Sequence, residues 1–222
     1  MSRVVVKLGG AVAADAAELA LALAAEHEVC VVHGAGPQIT QEMERFGIEV
    51  RFVAGRRVTT DVGLAVVRSS LAAVNRAICT AIGAAAVPLF GDEIGLHAVQ
   101  VPALGLVGDP LPSRPAQVVA ALGAGRIPVV APLAVGPLNV NADEAAAALA
   151  VGIGADRILF VTDVPGLLLG DAVARVIDVH EASRLLDEGT LDGGIVPKLR
   201  AAVSAARNGV RAEIGETAVV AA

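Results

Sequence analysis

The chain has 222 residues, enough for one sizeable domain or for two small lobes sharing a sheet. An apolar fraction of 55 % excludes a disordered chain, and a net charge of -6 argues against a general nucleic-acid surface. Its two cysteines, Cys30 and Cys79, stand far apart and outside any C-x-x-C or Cys/His cluster, which excludes a disulfide framework and a thiolate metal site and makes a reducing compartment the default.

Short runs rich in Val and Ile alternate with alanine-rich stretches of helical period. Strands are predicted at 3–8, 29–33, 86–90, 127–131 and 157–161. Helices are predicted at 15–26, 37–46, 61–82, 115–122, 143–151, 180–188 and 197–208. This alternation implies an α/β protein, a three-layer αβα sandwich around a mostly parallel sheet, with ligands gathered at the C-terminal ends of the strands. A soft boundary near 153 divides a longer first lobe, 1–153, from a shorter second one, 154–222, both sharing the sheet. In the long helix Leu64, Val67, Leu71, Val74 and Ile78 form one apolar stripe, which fits packing on the sheet or a subunit interface. The uncharged runs 77–91 and 127–142 are too short to span a bilayer and are broken by Gly or Pro. Lys7 and Gly9-Gly10 interrupt the apolar start, so it does not read as an export signal, and a cytoplasmic location is expected.

Four strand-end loops are polar or Gly-rich: Lys7-Leu8-Gly9-Gly10, His33-Gly34-Ala35-Gly36-Pro37, Asn139-Val140-Asn141-Ala142-Asp143 and Thr162-Asp163-Val164-Pro165-Gly166. A glycine after a strand most often makes only a turn. A strand, a glycine loop and a helix N-terminus together, however, direct several free N–H groups at one point, a nest for phosphate or carboxylate oxygens. Neither the P-loop motif nor the third glycine of the dinucleotide fingerprint is present.

Of 17 basic residues only Lys7 and Lys198 are lysine, and each stands in a glycine loop. A compact ammonium at both places suits a transferring phosphoryl group. Arg57, with its planar fork, suits a substrate carboxylate. Asp143 fits either a helix cap or a carboxylate that orients the lysines. No His/Asp pair stands out as a general base, and His33 reads as structural.

These motifs, with Arg57-Val58-Thr59 and Gly194-Ile195-Val196-Pro197-Lys198, resemble the amino-acid kinase family over nearly the whole chain, and within it the branch that phosphorylates N-acetylglutamate in arginine biosynthesis. The resemblance implies an ATP-dependent phosphotransferase with a carboxyl acceptor. Lys7 and Lys198 would stabilise the phosphoryl group, and Asp143 would hold both lysines. Ala35 and Gly36 would offer N–H groups to the reacting carboxylate. Arg57 and Asn139 would bind the amino-acid part, with Gly9, Gly10, Gly34 and Asn141 completing the acceptor side. Asp163, Val164, Pro165, Gly166, Leu167 and Leu168 would line the nucleotide site together with Gly194. Mg²⁺ would ride on ATP with no protein metal site. A homodimer is implied, with no nucleic-acid or membrane partner. The alternatives are a related acceptor, such as an aminoadipate borne on an acidic carrier protein, and a regulatory relative without catalysis.

Three departures from the family pattern stand out. Ala35 replaces the middle of three glycines, so a positive φ there would be strained. After 210–214 the chain passes through Gly215-Glu216-Thr217 directly into 218–220, where relatives place a helix, which would leave a sheet edge or the nucleotide lobe less covered. Only six residues precede Lys7, whereas arginine-inhibited relatives carry an extra helix there. A homodimer that arginine does not inhibit is the expectation.

Overall fold

The run Arg3-Val4-Val5-Val6-Lys7-Leu8 is apolar at successive positions, the pattern of a strand covered on both faces. It forms strand β1 (Arg3–Leu8), whose Val4, Val5 and Val6 are at most 1 % exposed. The computed structural model describes residues 1–9, 13–162, 164–170, 172–191 and 193–221. Gly10 and Asp163, both expected in the site, lie outside the described residues.

Beside β1 stand β2 (Glu28–His33), β3 (Ala86–Phe90), β4 (Ile127–Ala131), β5 (Arg157–Phe160), β6 (Val176–Asp178), β7 (Arg211–Ile214) and β8 (Thr217–Val220). They form one sheet in the order β6-β8-β7-β5-β1-β2-β4-β3. Every neighbouring pair is parallel except β7 and β8. Strands from both predicted lobes therefore sit side by side, with Lys7 of β1 opposite Phe160 of β5.

The helices of two turns or more are α1 (Ala13–Ala24), α2 (Gly36–Arg45), α3 (Asp61–Ile82), α4 (Ala116–Gly123), α5 (Ala142–Ile153), α6 (Val179–Glu188) and α7 (Ile195–Arg207). Alternation along β1 assigns them to faces. Val4, Val6 and Leu8 join Ala16, Ala17 and Ala20 of α1 and Ile78 and Ile82 of α3. Val5 joins a second cluster with Leu122 of α4, Leu149 and Ile153 of α5, and Leu199 and Ala202 of α7. Each such buried Val or Leu contributes about 1.5–3 kcal/mol. Period two puts Lys7 on the face of Val5, toward α5, at the C-terminal end of the strand.

The apolar stripe of α3 faces inward: Leu64, Val67, Leu71 and Ile78 are buried, and Val74 packs half-buried between two clusters. By length and composition α3 could cross a membrane, but its apolar side is occupied by the sheet and by α2, and Arg68 on it pairs with Asp92 and Glu93. Packing on α5 is close. A Cβ on Gly152 would come 2.0 Å from the Ser113 carbonyl oxygen, so this turn of α5 has room for glycine alone.

Two features go beyond what the sequence reading assigned. Residues 98–140 include a small mixed sheet of Ala98–Gln100, Val107–Pro110, Leu138–Val140 and Leu133–Ala134, in that order. The last strand, β8, is internal to the sheet. It lies between β7 and β6, so the edge falls on β6, where Val176 is exposed.

Candidate active site

The end of β1 and the start of α5 meet at an ion pair. Asn141 caps α5, its Oδ1 accepting from the N–H groups of Asp143 (2.9 Å) and Glu144 (3.2 Å). That cap fixes the first turn and sets Asp143 Oδ1 2.8 Å from Lys7 Nζ. Both residues are only 5 % exposed. Burial lowers the pKa of Lys7, Asp143 opposes that shift, and the charge of Lys198 adds to the lowering. Lys198, in the first turns of α7, donates to the Gly194 carbonyl at 3.2 Å. In this arrangement Asp143 pairs with Lys7, while the hydrogen bond of Lys198 goes to its own helix start.

Arg57 arrives on a two-stranded hairpin, Phe52–Val53 against Arg56–Arg57. Ala54 (φ +49) and Gly55 (φ +79) close it, both left-handed, as a two-residue hairpin turn requires. The Arg57 guanidinium is buried against α2. It donates to the Gly36 carbonyl (3.2 Å), Thr40 Oγ1 (2.8 Å) and Met43 Sδ (3.5 Å), and stacks 4.6 Å from the Phe52 ring. Burial lowers its pKa, yet a guanidinium stays charged. Among the described residues no carboxylate pairs with it. Thr59 Oγ1 donates to the Arg57 carbonyl at 2.9 Å and accepts from Asn139 Nδ2 at 2.9 Å, which ties Asn139 to the same arm.

On β2, His33 is fully buried. Its Nε2 accepts from Asn75 (3.1 Å), which leaves Nδ1 to donate to the Gly34 carbonyl (3.3 Å). Burial pulls its pKa down to about 4, so the ring is neutral. The Gly34 N–H donates to the Leu8 carbonyl. Ala35 sits at φ -148, outside the left-handed region, and its methyl is buried with Ile39, Met43 and Leu71. The Gly-to-Ala departure therefore carries no backbone strain here.

These residues line one cavity of ≈ 350 Å³: Lys7, Gly9, Gly34, Ala35, Gly36, Arg57, Asn139, Asn141, Asp143 and Lys198. A second cavity of ≈ 450 Å³ is walled by Val164, Gly166, Leu167, Leu168, Gly194 and, again, Lys198. Pro165 is not on that wall; its carbonyl accepts from the Glu216 N–H at 2.7 Å. Leu167 is anchored by its N–H to the buried Thr217 Oγ1 at 2.8 Å. Sequence reasoning missed Thr162, Thr190, Leu191 and Ile195 on this wall and Arg56 on the first. Among the described residues no group of three His, Cys, Asp or Glu side chains is placed to hold a metal ion.

A mostly parallel αβα sandwich with a buried lysine–carboxylate pair in one cavity, and a second lysine on the wall of that cavity and of its neighbour, defines a class. The sequence model of the Amino acid kinase family matches residues 2–215, and the chain belongs to that family. Among its relatives, the acetylglutamate kinase of Rubrobacter xylanophilus is 41 % identical over 224 residues, covering 96 % of this chain and 88 % of that protein. The acetylglutamate kinase of Roseiflexus castenholzii is 40 % identical over 224 residues, covering 94 % and 86 %. Among solved structures, a protein of Streptococcus mutans UA159 superposes with a TM-score of 0.88 at 26 % identity, covering 98 % of each chain. The carbamate kinase of Giardia lamblia bound to AMP-PNP shares the fold alone, with a TM-score of 0.72 at 15 % identity over 100 % of this chain and 99 % of that one.

Proposed function

We propose that the protein transfers the γ-phosphoryl group of ATP to the side-chain carboxylate of N-acetyl-L-glutamate, giving an acyl phosphate and ADP, a step of arginine biosynthesis. The observation that carries this reading is the buried fork of Arg57, paired with no carboxylate among the described residues, in the same cavity as the Lys7–Asp143 pair. Such a cavity suits an acceptor with two carboxylates. Arg57, supported by Asn139, grips the one that does not react. The other points toward Lys7 and the N–H groups of Ala35 and Gly36.

The acceptor carboxylate, with a pKa of about 4.3, is already an anion at neutral pH, so no general base is needed. The neutral, fully engaged His33 fits that economy. The remaining task is to bring two anions together and offset their charge. Lys7, held by Asp143, supplies a fixed positive charge on the acceptor side. Lys198, shared by both cavities, supplies one where the phosphoryl group passes. A divalent cation, Mg²⁺ by the chemistry of phosphates, neutralises the nucleotide oxygens and is brought by the nucleotide.

Within this reading residues 1–153 form the acceptor lobe and 154–222 the nucleotide lobe, with Val164, Gly166, Leu167, Leu168 and Gly194 toward the nucleotide. Two copies would meet along the sheet edge formed by β3. The free cysteines fit a reducing cytoplasm. Trapping with hydroxylamine tests the assignment. Mg-ATP with N-acetylglutamate should give a hydroxamate, and Lys7→Arg should abolish it. Hydroxamate formed only from N-acetylaminoadipate would move the acceptor to a longer chain. None from either would sink the proposal.

A further inference from the structure

Arg56, next to the substrate-gripping Arg57, bridges two acids. Its Nη2 donates to Glu144 Oε1 at 3.0 Å, and its Nη1 pairs with Asp109. Arg56 and Glu144 are largely covered, with side chains 23 % and 12 % exposed, whereas Asp109 is half exposed. Glu144 directly follows Asp143 in the first turn of α5. Asp109 lies on the strand Val107–Pro110, which pairs with Leu138–Val140 so that Val107 faces Asn139. One guanidinium thus joins the hairpin of Arg57 to the helix of Asp143 and to the strand that pairs with the one carrying Asn139.

The hairpin needs such an anchor. Its strands are two residues each, too short to hold themselves. Phe52, Val53, Ala54 and Gly55 are exposed, so no core packing fixes the outer part. Arg57 ties the hairpin to α2, and Arg56 ties it to α5.

We infer that Arg56 is a positioning residue for phosphoryl transfer: its bridge to Glu144 and Asp109 sets where Arg57 holds the acceptor relative to the Lys7–Asp143 pair. The inference rests on the acceptor reading above. Arg200, two residues after Lys198 on α7, is the other cation facing Glu144 and stands on the wall of the same ≈ 220 Å³ cleft as Arg56 and Asp109. Burial raises the pKa of Glu144, the two arginines oppose that shift, and the charge of Asp109 adds to it.

Steady-state kinetics on the full chain test it, with wild type, Arg56→Ala, Arg56→Lys, Glu144→Gln and the Ala/Gln double variant run beside one another. Arg56→Ala should raise KM for N-acetylglutamate about tenfold while KM for ATP stays within about twofold. Glu144→Gln, nearly isosteric, should move KM in the same direction by about threefold. The double variant should be no worse than Arg56→Ala, because both substitutions break one bridge. Arg56→Lys should recover part of the loss, since an ammonium keeps the charge but not the two-pronged reach. An unchanged KM, or a KM for both substrates that rises in step with a falling melting temperature, overturns the inference. If Arg56→Ala does not fold, Glu144→Gln decides alone. An inactive wild type sinks the acceptor reading and this inference with it, whereas an active wild type with indifferent variants sinks only this one.

Discussion

Lys7 Nζ and Asp143 Oδ1 stand 2.8 Å apart at the meeting of a strand end and a helix start, with both side chains nearly sealed from water. Breaking such a pair from one side costs more than the pair is worth, because a buried charge is left alone. Asp143→Asn should lower stability by about 3–5 kcal/mol and cut kcat at least about a hundredfold. The burial that already lowers the pKa of Lys7 would act unopposed. The alkaline fall in rate should therefore begin at lower pH in the variant. Denaturant melts and a pH–rate profile check both parts, and an unchanged alkaline limb would contradict the pairing.

His33 makes a prediction about acid. Its folded pKa of about 4 lies below the ordinary 6.5, so between those values the unfolded chain binds more protons. The stabilisation is fully present above 6.5 and is lost as pH falls toward 4. The shift is worth about 3 kcal/mol. Melting temperature should fall across that window, and His33→Gln should flatten the slope while lowering the plateau.

Arg57 bears on substrate choice. Arg57→Lys keeps the charge but loses the planar fork and its stacking on Phe52. KM for N-acetylglutamate should rise roughly a hundredfold, about 2.7 kcal/mol, with KM for ATP little changed. Equal changes in both constants would mean a damaged fold and not a lost carboxylate contact.

Gly152 is a prediction about packing. Its absent side chain leaves room for the Ser113 backbone, and a methyl would have to displace that segment. Gly152→Ala should destabilise by about 1–3 kcal/mol even though alanine is the better helix former. Calorimetry showing a gain would refute the close approach.

Much of this architecture could be read from the chain because its signals are local. The valine run of β1, the turn glycines and the stripe of α3 each state their own geometry. Only contact with the sheet and α2 could decide that the stripe packs inward. The small sheet of residues 98–140 was hidden because its strands are two to four residues long and take their ladder from distant partners. The same limit explains Arg56: beside Arg57 in sequence it looks like one more surface charge, and Glu144 and Asp109 become its partners only in space. Pro165 shows the converse, since its motif points to a ligand while its carbonyl is taken by Glu216.

Lys198 forms part of the wall of both cavities, so the two substrates we assign to them face one another across a single side chain. In the reaction we propose, a phosphoryl group crossing between the cavities changes hands once, and one displacement turns the phosphorus inside out like an umbrella. A nucleotide made chiral at its terminal phosphorus with one sulfur atom and oxygen isotopes should deliver a product of opposite handedness, whereas retention would require two displacements and a phosphorylated enzyme between them.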